Sequence, residues 1–197
     1  MAPFDDFSEL IGRLRRGQAA AADELWRRFE PLLRREVRLR LRDPRLRRRL
    51  DESDVCQSVM ASFFIRCAAG QFDLDGPEQL LRLLTTMGRN KLATQARRHQ
   101  AGRRDLRREE QLPPGGDLTN DQEPTPSQIV GGREILQQFR ERLRVAERTL
   151  ADRRADGCSW KEIAALVGST PDGCRVQLNR AVARVCREMG LDENNDE

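Results

Sequence analysis

An all-helical fold in two small domains is what this sequence predicts, on three observations. Apolar residues recur at steps of three and four along most of the 197 residues, with no strand-like alternation of useful length and no internal repeat. The segment 109–132 holds five acids, no base and repeated prolines and glycines, which is the composition of a linker. Two helix-start signals then lie close together, at Ser159 and Thr170, as in a short helical pair. The expected organisation is a helical domain over 1–108, a flexible linker over 109–132, a second helical domain over 133–191 and an acidic tail over 192–197.

In the first domain, Phe4, Phe7, Leu10, Ile11 and Leu14 make an amphipathic stripe that Gly17 breaks. A longer helix starts near Ala20, with Leu25, Trp26, Phe29, Leu32, Leu33 and Val37 inward and a kink expected at Pro31. From Arg27 to Arg49 there are eleven arginines against three acids, a run whose usual fate is a solvated face. Next comes LDESDVCQSVMASFFIRC, where Val55, Cys56, Val59, Met60, Phe63, Phe64 and Cys67 form a wide apolar stripe. Asp51, Glu52, Asp54, Gln57 and Ser58 crowd its first turns on the other side. Acids there favour the helix dipole, and in an arginine-rich domain they equally suit a basic partner helix.

The domain closes with the loop FDLDGP, carrying Phe72, and a helix whose apolar residues are Leu80, Leu81, Leu84, Met87 and Leu92. From Arg82 to Arg108 there are nine basic residues against the single acid Asp105. A basic helix beside an aromatic loop is the mixture that tracks a nucleic-acid backbone and captures bases. The competing reading is a solvated helix capped by a packed Phe72.

In the second domain, SWKEIAALVGSTPDGCRVQLNRA places proline and glycine in an otherwise helical run, where they cost about 3 and about 1 kcal/mol relative to alanine in a helix interior. They mark boundaries instead. Ser159 and Glu162 form a capping-box pattern, Gly168 closes that helix, and Thr170 before Pro171 caps the next. The inward positions are Trp160, Ile163, Ala164, Leu166 and Val167 on the first helix and Cys174, Leu178, Ala181 and Val185 on the second. This is the helix-turn-helix arrangement, or else a packed hairpin with a solvated side. Its outward face carries Asp172, Arg175, Val176, Asn179 and Arg180. Arginine and asparagine there can pair with guanine and adenine edges, and Gly173 would let the backbone approach phosphate.

Composition narrows the function. Of the 36 basic residues only Lys91 and Lys161 are lysine, and arginine's forked geometry suits phosphate and guanine. Five cysteines at 56, 67, 158, 174 and 186 lie at apolar positions of helical patterns without a CxxC pair, so buried reduced thiols are expected and structural zinc is not. A single histidine, His99, and the lack of a glycine-rich phosphate loop leave no nucleophile and base to place together. A binding protein is expected, with no enzymatic activity, cofactor, metal or small-molecule substrate. No apolar run approaches the roughly 18 residues of a membrane span. The start MAPFDDFSEL is acidic where a signal peptide is basic, so a cytoplasmic protein is expected.

With these parts in order, the chain resembles an extracytoplasmic-function sigma factor of the sigma-70 family, over roughly Leu10 to Leu191. GQAAAADELWRRFEPLLR is similar to the opening helix pair of region 2, DESDVCQSVMASFF to its core-binding helix and LLTTMGRNKLATQARR to its promoter-reading helix. WKEIAALVGSTPDGCRVQLNRAVARV resembles the helix-turn-helix of region 4. The resemblance implies a factor that binds core RNA polymerase and directs promoter-specific initiation. It implies core-polymerase contacts at Asp54 and Gln57, with Asp51 and Glu52 nearby, and minus-10 contacts at Phe72, Arg89, Asn90, Lys91, Arg97 and Arg98. It implies minus-35 contacts at Gly173, Arg175, Val176, Asn179 and Arg180, and it admits an anti-sigma protein as a further partner. Leu83, Gly173 and Gln177 depart from the family's usual tryptophan, threonine and arginine. A freestanding helix-turn-helix regulator of operator DNA is the alternative, and it leaves Asp54 and Gln57 without a role.

Overall fold

The computed structural model describes residues 3–41, 51–105 and 126–191. Among them are eight helices and no strand: α1 (Pro3–Arg15), α2 (Ala19–Arg40), α3 (Glu52–Ala68), α4 (Pro77–Asp105), α5 (Pro126–Arg142), α6 (Val145–Ala155), α7 (Trp160–Val167) and α8 (Pro171–Glu188). The all-helical class read from the sequence is thus the observed one. Residues 42–50, most of the expected linker, the tail over 192–197 and the side chains of Phe4, Arg98 and His99 lie outside the described residues.

α1 lays Phe7, Leu10, Ile11 and Leu14 into the core, and Gly17 turns the chain at φ 72°. α2 runs on through Pro31 and buries Leu25, Trp26, Phe29, Leu33 and Val37. Leu32, expected inward, is 43% exposed because it lies off the stripe that Phe29, Leu33 and Val37 define at steps of four. Glu30, beside the same stripe, is 1% exposed and answered by Arg34, whose guanidinium reaches Glu30 Oε1 at 2.6 Å.

α3 is the central element, touched by α1, α2, α4, α5 and α8. The expected stripe is buried in full, but so are Ala61, Ser62 and Ile65, which leaves no solvated face between Val59 and Ile65. Trp26, Phe64, Phe63 and Phe72 form a chain of ring contacts with successive centroids 6.3, 5.8 and 5.9 Å apart. Burial pushes the thiols of Cys56 and Cys67 up to about 12. All five cysteines are free, as expected, but Cys158 is half-buried in the turn between α6 and α7, not inside a helix.

α5 corrects the expected linker, because it begins at Pro126, inside the span 109–132. A proline at the first helical position starts a helix without losing a bond, so that proline is a boundary and not a breaker. α5 packs against α2 and α3, burying Leu136 and Phe139. Gly132 sits so close that a Cβ there would stand 3.2 Å from Ala22 Cβ and 3.4 Å from Phe64. The helix that follows the linker therefore completes the core of the N-terminal helices, and one hydrophobic cluster runs through both halves.

Candidate nucleic-acid interface

α7 and α8 form the expected pair, with the expected caps. Ser159 Oγ accepts from the Glu162 amide at 3.3 Å, while the Ser159 amide donates to Glu162 Oε2 at 2.7 Å. Those bonds to Ser159 hold the Glu162 carboxyl below its ordinary value. Gly168 ends α7 at φ 66°, and Thr170 Oγ1 accepts from the Gly173 amide at 3.0 Å. Gly173 is thereby explained from within, because a Cβ there would lie 2.9 Å from Thr170 Oγ1 and crowd the cap.

Cys174, Leu178, Ala181 and Val185 are buried together with Ile163 and Ala164, while Arg175, Val176, Asn179 and Arg180 are all exposed. Leu166 and Val167, expected to pack, are 64% and 42% exposed. α7 is only eight residues long and turns away at Gly168, so Ile163 and Ala164 use up its inward positions. Arg175 is lightly held by Asp172 at 3.1 Å, an exposed pair that a phosphate or base can displace. Arg184, on the inner side, bonds Glu147 at 2.7 Å and Glu188 at 2.9 Å and ties α8 to α6. Those carboxylates, Glu188 first, raise its pKa.

On α4, Arg89, Asn90 and Arg97 are exposed, and Lys91 is not. Lys91 is 8% exposed because it follows Leu84, Met87 and Gly88 around the inward side, where Gly88 approaches Leu33. Arg82 and Thr86 lie on the same exposed stripe as Arg89, Asn90 and Arg97, which a count of steps of three and four from Arg89 brings out. Phe72 is half-buried, its ring stacked on Phe63 at an interplanar angle of 13°. The guanidinium of Arg15 donates to its carbonyl at 2.6 Å. The exposed aromatic of the base-capturing reading is here a packed one.

The acidic cluster at the start of α3 divides. Asp51 caps the helix, accepting from the Ser53 amide at 2.8 Å. Glu52 is gripped by both arms of Arg38, at 3.0 and 2.7 Å, and so ties α3 to α2. Asp54 and Gln57 point to solvent. What the site offers is thus a two-residue polar surface on α3, a basic stripe on α4 and a mixed arginine and amide face on α8.

Among the described residues no group of histidine, cysteine and acid side chains is placed to hold a metal ion, and no helix is long and apolar enough to cross a membrane. A family model described as ECF sigma factor matches residues 4–190. No curated protein and no solved structure matches the chain.

Proposed function

The chain belongs to the ECF sigma factor family, and from that premise we propose how its surfaces divide the work of directing transcription initiation. Asp54 and Gln57, with Asp51 behind them, dock on a basic surface of core RNA polymerase. Arg89, Asn90 and Arg97, extended by Arg82 and Thr86, track the minus-10 strand, and Phe72 leaves its stack on Phe63 to take an unpaired base. Arg98 continues that stripe in sequence. Lys91 is left to the helix packing and Glu52 to Arg38, which removes both from the contact surface.

The observation that carries this reading is the clean division of α8, where every expected reader except Gly173 is a solvated side chain and every expected packing residue is buried. A recognition helix enters the major groove with its N-terminal half, which here holds Arg175, Val176 and Asn179. Two weak duplex and single-strand contacts act together because the polymerase and the connecting chain hold them at high effective concentration. The acidic part of the expected linker, before α5 begins at Pro126, suits the path of a nucleic acid through the enzyme by its charge. The protein acts by binding, without catalysis of its own, in the cytoplasm where the polymerase is.

Run-off transcription on genomic fragments, with purified core polymerase in the presence and absence of this protein, tests the proposal. New start sites that depend on the protein are the expected result, and none would overturn it. The Asp54→Lys, Gln57→Ala double variant should lose co-purification with core polymerase while keeping its melting temperature.

A further inference from the structure

The reading helix carries one charge that DNA should repel. From Pro171 to Arg187, α8 holds four arginines and a single acid, Asp172. The Asp172 side chain is 87% exposed. Among the described residues its partner is Arg175, whose Nη2 donates to Asp172 Oδ1 at 3.1 Å. Asp172 does not cap the helix, because Thr170 Oγ1 already accepts from the Gly173 amide. An acid in the first turn suits the helix dipole, but that alone does not require the carboxylate to sit against an outward-facing arginine.

On a helix lying in the major groove, side chains three or four positions apart reach successive base pairs. Asp172, Arg175 and Asn179 stand at such steps and are all exposed. Arginine reads guanine with two of its five N–H donors, so a further donor stays available to Asp172 while Arg175 holds a guanine edge. A carboxylate only accepts. Cytosine offers its N4 amino group in the major groove, whereas adenine sets an N7 acceptor beside its amino group, which a carboxylate repels. A phosphate treats the pair differently. Drawing Arg175 onto it brings the Asp172 carboxylate toward a second negative charge, and that repulsion offsets the attraction.

We propose that Asp172 is a specificity-determining residue of α8. It accepts from the amino group of a cytosine one base step from the guanine taken by Arg175, and it penalises binding through phosphate alone. Discrimination of this kind comes from what a side chain rejects as much as from what it attracts. The inference rests on α8 as the minus-35 reader and adds a base-choosing acid to that face.

The test uses holoenzyme reconstituted from the full chain and core polymerase, with a pool of random-sequence duplexes from which bound molecules are recovered and sequenced. Native holoenzyme should enrich a guanine and a cytosine at neighbouring pairs of the upstream element. Asp172→Ala should keep the guanine and lose about tenfold of preference for the cytosine, while Arg175→Ala should lose the guanine. With a mixed-sequence duplex and the full chain alone, Asp172→Ala should bind about three- to tenfold tighter at low salt. The slope of log affinity against log salt should steepen by about one, as Arg175 neutralises a further phosphate. Asp172→Glu keeps the charge and should restore the native slope. An Asp172→Ala variant with unchanged base preference, or with an unchanged slope, overturns the assignment; if only its melting temperature falls, Asp172 serves the helix dipole and nothing more. If native holoenzyme enriches no upstream sequence, or Arg175→Ala changes none, the minus-35 reading of α8 falls instead.

Discussion

α3 and α8 are 17 and 18 residues long, yet burial serves them in opposite ways. α3 is enclosed by five other helices, so its middle has no free side and only its first turns reach solvent. α8 rests one stripe on its neighbours and leaves the other side open along its N-terminal half. The consequence is a division of labour. A contact surface at the start of a central helix is small but rigidly set, whereas a face along a peripheral helix is larger and depends on its caps to stay aligned. Substitutions should therefore separate stability from binding differently in the two helices.

The largest effect is expected at the centre. Phe64→Ala removes a ring packed against Trp26, Phe63 and the closely approaching Gly132, and should cost about 3–5 kcal/mol in denaturant unfolding. A loss below about 1 kcal/mol would mean that α3 is not enclosed as described. On α8, Arg175→Ala should weaken upstream promoter duplex by about 1–3 kcal/mol in a titration of the holoenzyme. Its melting temperature should hardly move, since the exposed pair with Asp172 contributes little. A fall in melting temperature with unchanged promoter affinity would reverse the contrast.

The caps are intermediate. Thr170→Ala removes the acceptor for the Gly173 amide and should cost about 0.5–2 kcal/mol of stability by thermal unfolding, while Thr170→Ser keeps the acceptor. The smallest effect concerns Glu162. Its folded pKa lies below its unfolded one, so its stabilisation of α7 is present above the ordinary carboxylate range and is lost as pH falls through the folded value. Glu162→Gln keeps the reciprocal bonds of the cap without the titration and should flatten the acid limb of a melting-temperature profile. An unchanged profile would detach that limb from this cap.

Much of the site was legible because its signals are local. Ser159 with Glu162, Gly168, and Thr170 before Pro171 each act within one turn of chain, and each behaves in the structure as its chemistry requires. Lys91, Glu52 and Phe72 are each more engaged within the fold than an exposed contact residue would be, for one shared reason. Each was assigned from residue type, and each is claimed by a partner or a packing surface distant in sequence, as when Arg38 closes on Glu52 fourteen residues away. The linker boundary failed otherwise, since a proline both breaks and begins helices and composition alone does not say which.

By itself the sequence determined that this chain is helical, where the α7 and α8 pair starts and stops, and which side of α8 is polar, because all of these follow from steric and hydrogen-bond rules acting over a few residues. Only the tertiary structure decided that α5 completes the N-terminal core and that Gln71 meets Asn179. Contacts between residues a hundred positions apart depend on how helix surfaces fit, and no periodicity along the chain records that fit.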